Sequence, residues 1–194
     1  MPRRFVDLSI TLCNDVVSDP PFMRPEIVYQ SHGETMPELG HFFPGVEAQQ
    51  LAGAEGFAAV ELIRLSTHNG THLDAPWHFH PTQDANQPGG GAPSQTIDEI
   101  PLEWCFQPGV KLDFRHFPDG YVVTAADVEV ELARIGHELA PLEIVMVNTA
   151  AGMALANRDP GYVGIGAGVG YEATMYLLER GVRVTGTDAW SWDA

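Results

Sequence analysis

The chain has 194 residues, of which 44% are hydrophobic and 19% charged, a size and balance that fit one globular domain with a sizeable core. Ten basic residues against 26 acidic ones leave a net charge of −16. Such a field repels phosphate backbones and anionic membrane surfaces, so no nucleic acid and no membrane is expected as a partner, whereas a divalent cation is favoured.

The opening MPRRFVDLSITL carries two arginines but no long apolar stretch, so no signal peptide is expected. Residues 5–12 read as a first strand, because Val6, Leu8, Ile10 and Leu12 recur with a period of two. Residues 14–56 mix Pro, Gly, His and Phe and read as irregular, with room for short strands. Cys13 and Cys105 are isolated and form no CxxC, so no disulfide framework is expected and a reducing cytoplasm fits. Residues 57–66, FAAVELIRLS, are a strand candidate that runs straight into STHNGTHLDAPWHFHPT at 66–82. The stretch DANQPGGGAPSQ at 84–95 is loop by composition.

The second half is more regular. Residues 109–114 read as a strand. Thr124, three residues before Asp127, resembles a capping box, and Val128, Leu132, Ile135 and Leu139 follow at helical spacing up to Pro141. Residues 144–149 form an apolar run of the kind buried strands show. Tyr171, Met175 and Leu178 share a helical face, with Gly181 placed as its cap, and residues 182–188 read as the next strand. Strand and helix in alternation predict a mixed α/β fold with part of the sheet parallel. No apolar run approaches the roughly 20 residues of a membrane helix. The glycines of Gly164 to Gly170 do not match GxGxxG, and Lys111, the only lysine, completes no P-loop. A loop or a tight helix start is the better account of them.

Four of the eight histidines, His68, His72, His78 and His80, fall in the 66–82 segment, with Asp74 among them. Gly70 and Pro76 oppose a helix, so the segment is expected to be a strand or extended loop. On a straight strand His68 and His72 stand about 13 Å apart, too far for one ion. Gly70, lacking a Cβ, can bend the chain and swing His68 inward, and the Thr71 hydroxyl can anchor that bend. A second metal sharing the row is the alternative. Two imidazoles and a carboxylate suit Zn²⁺, Mn²⁺ or Fe²⁺, and catalytic zinc sites use three protein ligands with a position left for water. His78, beyond Pro76, is spaced to act as a base. His80 reads as a surface residue or a support, and Trp77, Phe79, Phe22, Phe42 and Phe43 read as packing.

The run His68-Asn69-Gly70-Thr71-His72-Leu73-Asp74-Ala75-Pro76-Trp77-His78 resembles the HxGTHxDxPxH signature of the metal-dependent cyclase family, which includes bacterial kynurenine formamidases and isatin hydrolases; the wording is nearest to the latter. Asp7-Leu8-Ser9 and the stretch from Leu177 to Asp188 resemble the family's start and its late helix–strand unit. The resemblance implies a swivelling β/β/α fold with a mixed, partly parallel sheet over a single domain, residues 1–194. It implies a homo-oligomer, dimer or tetramer, and hydrolysis of an amide-type C–N bond in a small aromatic substrate such as isatin or N-formylkynurenine. It implies His68, His72 and Asp74 as metal ligands, with zinc or manganese as the ion, and His78 as the acid–base group. The family places a further histidine and a Glu or Gln beyond the region matching Asp188, so the chain is expected to lack its C-terminal part. His116 and His137 do not match those positions. A non-catalytic metal-binding or interaction protein derived from this family is the alternative.

Overall fold

The computed structural model describes residues 4–47, 50, 56–85 and 90–194. Residues 86–89 of the expected loop lie outside the described residues, as do residues 48, 49 and 51–55 of the stretch read as irregular and residues 1–3 of the opening. The chain forms two compact units, Met1–His72 and Leu73–Ala194.

In the first unit, strand β1 (Glu26–Gln30) pairs antiparallel with β2 (Val60–Arg64), Glu26 facing Arg64 and Gln30 facing Val60. Between them, among the described residues, run the single-turn helices α1 (His32–Thr35) and α2 (Leu39–Phe42), joined by a 3-10 turn at Met36–Glu38. The Glu34 carboxylate accepts from both the N–H and the hydroxyl of Ser31 and so closes the start of α1. Thr35 is fully buried, and its hydroxyl donates to the Ala58 carbonyl at 2.6 Å, tying α1 to the approach of β2. The side chain of Asn14 stands in for a neighbouring strand: its amide donates to the Ile27 carbonyl and its carbonyl accepts the Ile27 N–H.

The strand expected at residues 5–12 carries no ladder. Its alternation is real, but Phe5 is 94% exposed and Leu8 73% exposed. A period of two makes a strand only where a sheet edge supplies backbone partners, and among the described residues the ladder of the first unit consists of β1 and β2.

The second unit opens with one helical turn, α3 (Pro76–Phe79), and continues through β3 (Gly109–Asp113), β4 (Val122–Val123), α4 (Ala125–Ile135), β5 (Ile144–Asn148), α5 (Ala151–Ala156), β6 (Gly168–Val169), α6 (Tyr171–Glu179) and β7 (Thr185–Thr187). Strands β3, β5 and β7 form a parallel sheet in that order, and β4 pairs parallel with β6. This is the mixed α/β, partly parallel architecture that the alternation of strand and helix predicts. Val110, Leu112, Val145 and Val147 of the sheet meet Val128 and Leu132 of α4 and Ala173 and Leu177 of α6 in one buried cluster. Helix α4 starts as its sequence demands, with Thr124 as cap and the Asp127 carboxylate accepting from the Thr124 N–H and hydroxyl. It stops at Gly136 in a left-handed conformation, φ 63°, well before Pro141. A glycine can take that conformation without steric cost, so it ends the helix first, and Leu139 packs on the core from the connection instead. The glycine run ends in β6 and in Gly170, the N-cap of α6, which makes it a tight helix start. No helix among the described residues is long and apolar enough to cross a membrane.

The buried Glu131 of α4 accepts from the Arg134 guanidinium and from the Asp113 N–H, and these bonds, the arginine first, hold its carboxyl below the usual range. Arg115 does the same to Asp113. A carboxyl depressed on folding stabilises the native state above its unfolded pKa of about 4, and that contribution is lost as the pH falls through the folded value. The urea midpoint is therefore expected to fall as the pH is lowered from about 6 to about 3. Glu131→Gln should start from a lower midpoint and show a flatter pH dependence.

Candidate metal centre

β2 hands the chain to a turn at Ser66, closed by the Asn69 N–H on the Ser66 carbonyl at 3.1 Å. Gly70 follows with φ +66°, a left-handed conformation that L side chains seldom adopt. A Cβ built there would lie 2.7 Å from Cδ2 of Leu12, a side-chain tip that can move aside, so it is the backbone conformation that favours glycine at residue 70. The Thr71 hydroxyl accepts the Ile10 N–H at 3.0 Å, which anchors the bend as the sequence suggested. Nδ1 of His72 then sits 2.8 Å from the Gly70 carbonyl. The His68 and His72 rings meet edge to face with centroids 5.2 Å apart, far closer than a straight strand allows.

Beyond His72 the expectation of an extended segment fails. Pro76 occupies the first position of α3, where its missing N–H costs nothing and its fixed φ suits a helix. His78 lies on that single turn, with its N–H on the Ala75 carbonyl at 2.9 Å. The expected strand or extended loop is thus replaced by a left-handed bend followed by a helical turn. Along residues 68–78 this local path brings together the ligand atoms of His68, Asp74 and His78, all within 4.8 Å of one another. His68 and Asp74 are half-buried and His78 is exposed. His72 is not one of those three, although its ring lies against His68. Nδ1 of His80 turns away to the Thr82 carbonyl at 2.8 Å.

The aromatic residues read as packing are exposed instead. Trp77 and Phe79 are 53% and 71% exposed, and Phe22, Phe42 and Phe43 are exposed as well. Phe79 lies against the His78 ring at 4.8 Å. His116 lies tilted against Phe117, and His137 bonds to the buried Glu143, so neither joins the group. Beside α4, an open cleft of about 730 Å³ is lined by Arg115, His116 and Arg134, but both arginines are already paired, with Asp113 and Glu131. Two polar residues have no role in the sequence reading: Asn69, 5% exposed inside the histidine run, and Asp188, whose carboxylate accepts from Asn148 and Thr149 where β5 and β7 end.

A family model described as "Putative cyclase" matches residues 6–194. No curated protein matches the sequence. Among solved structures, the chain is similar to an isatin hydrolase bound to the product analogue thioisatinate, with TM-score 0.67 and 20% identity over 97% of this chain and 68% of that one. Isatin hydrolase A from Labrenzia aggregata, bound to benzyl benzoate, gives 0.66 and 24% over 98% and 70%. A protein described as a predicted metal-dependent hydrolase from Bacillus stearothermophilus gives 0.59 and 19% over 97% and 70%. At these identities the likeness establishes a common fold.

Gly70→Ala is expected to destabilise the protein by about 1–2 kcal/mol through the left-handed backbone. Urea denaturation of the variant beside the wild type measures this.

Proposed function

The chain belongs to the cyclase family, and from that premise we propose that it is a metal-dependent hydrolase that opens or cleaves a C–N bond of an aromatic amide, either an isatin-type cyclic amide or an N-formylkynurenine-type arylformamide. The observation that carries this reading is the gathering of His68, Asp74 and His78 within 4.8 Å, beside the His72 ring. Two of the solved relatives being isatin hydrolases supports the cyclic-amide substrate.

The donor set fits a divalent ion. Imidazoles and a carboxylate suit zinc or manganese, and the net charge of −16 favours a cation. His68, His72 and Asp74 would hold it. The contact between Nδ1 of His72 and the Gly70 carbonyl supports this assignment, because a backbone acceptor at Nδ1 fixes the tautomer and leaves Nε2 as the ligating nitrogen. When bound, such an ion lowers the pKa of a water molecule to about 7 and polarises a carbonyl.

The chain's own part is proton transfer and orientation. His78, with a ring nitrogen within 4.8 Å of the ligand atoms of His68 and Asp74, takes a proton from the attacking water. The water oxygen bonds to the amide carbon, the C–N bond breaks, and His78 returns the proton to the leaving nitrogen. The products are a carboxylic acid and an amine. The exposed Trp77 and Phe79, adjacent in sequence to His78, offer apolar surface to an aromatic ring.

His72→Ala is expected to remove both bound metal and hydrolysis of an isatin and formamide panel. His78→Ala should retain the metal and lose about 10²–10⁴-fold in turnover. Metal analysis and steady-state rates decide the matter. Loss of the ion in His78→Ala but not in His72→Ala would make His78 the third ligand. Metal binding without turnover in the wild-type chain would favour a non-catalytic metal-binding protein.

A further inference from the structure

We infer that Asp19 and Asn69 are positioning residues for His68: a buried carboxylate–amide pair that fixes the turn carrying the first imidazole of the metal centre. The inference rests on the assignment of His68 as a ligand and deepens it. Both residues belong to the first unit, 50 positions apart in sequence, and both are buried, Asp19 6% exposed and Asn69 5% exposed.

Three bonds use the Asn69 side chain. Its carbonyl oxygen accepts the Ser66 N–H at 2.6 Å. Its amide nitrogen donates to Oδ2 of Asp19 at 2.9 Å and to the Met23 carbonyl at 2.7 Å. The partners fix the amide's orientation, since its oxygen faces a donor and its nitrogen faces two acceptors. An aspartate at 69 could not serve when ionised, for it would set carboxylate against carboxylate. An alanine would leave the Asp19 carboxylate buried without the amide that meets it.

The same turn is closed from within by the Asn69 N–H on the Ser66 carbonyl and by the His68 N–H on the Ser66 hydroxyl at 3.3 Å. Those bonds shape the turn locally. The bonds to Asp19 and Met23 attach it to a second segment that is itself stiff. There Pro20 and Pro21 fix two φ angles, and the Met23 N–H returns to the Pro20 carbonyl at 2.8 Å. Arg24 reaches back with its Nε to the Asp19 carbonyl at 3.3 Å. His68 therefore sits one residue from an anchor set by a proline turn far away in sequence, while Gly70 and Thr71 set the bend on its other side. An imidazole must be held to a fraction of an ångström to bind a metal well, and this pair supplies one of its two fixed ends.

The experiment titrates the full 194-residue chain with Mn²⁺ alone, following free ion by electron paramagnetic resonance and the unfolding midpoint of the metal-free protein in parallel. Asp19→Ala is expected to weaken Mn²⁺ binding by the folded protein about tenfold or more. Asp19→Asn can present its own carbonyl oxygen to Asn69, so it should bind within about threefold of wild type. A pair that only stabilised the fold would lower the midpoint and leave the affinity of the folded protein unchanged, and that result would overturn the inference. If Asp19→Ala does not fold, Asn69→Asp takes its place, with the same loss expected and the same unchanged affinity counting against. A wild type that binds no Mn²⁺, or a His68→Ala variant that binds it equally well, would remove the ligand assignment itself, and this inference with it.

Discussion

The left-handed turn at Gly70 is the constraint on which the centre depends. A side chain at that position would strain the backbone, and the tip of Leu12 would have to move to make room, so the residue without a Cβ takes this bend at the lowest cost. Its consequence is short range and chemical. It converts a spacing of four residues, too wide on a strand, into two imidazoles whose centroids are 5.2 Å apart. The carbonyl of the same glycine then orients the His72 ring, so one residue sets both the path of the chain and the nitrogen available to an ion. Pro76 complements it by starting the helical turn that carries His78.

The second unit shows how much of this architecture follows from ordinary propensities. Thr124 and Asp127 start a helix, Gly136 ends it, and apolar residues at helical spacing bury against a parallel sheet whose central strand β5 alternates between buried and half-buried side chains. Asp188 ties the ends of β5 and β7 together by accepting from Asn148 and Thr149, so the loops beyond the sheet start from fixed points. Polar residues at such ends act by satisfying backbone groups that the ladder leaves over.

The sequence was most legible where a pattern maps onto one local rule. The parallel sheet, helices α4 and α6 and the bend at Gly70 could all be foreseen from capping, periodicity and the special freedom of glycine. It was least legible where the outcome depends on a distant partner. The alternation at residues 5–12 suggested a strand that has no ladder, and β1 hides in a stretch without a clear pattern because Asn14 completes its bonding from outside the sheet. In the candidate site, the five chemically capable residues were visible as a group, but the extended geometry assigned to them was wrong, since proline can begin a helix as well as bar one. Asn69 was passed over for the same reason as β1. Its importance lies in Asp19 and Met23, which no spacing within the motif reveals.

A crystal structure of the chain soaked with Zn²⁺, with anomalous data collected at the zinc edge, tests the central claim most directly. The account predicts an ion with Nε2 of His72, a ring nitrogen of His68 and a carboxylate oxygen of Asp74 at about 2.0–2.2 Å, and with His78 near but outside bonding distance. No ion at this segment, or those three side chains turned in separate directions with the zinc held elsewhere, would contradict it.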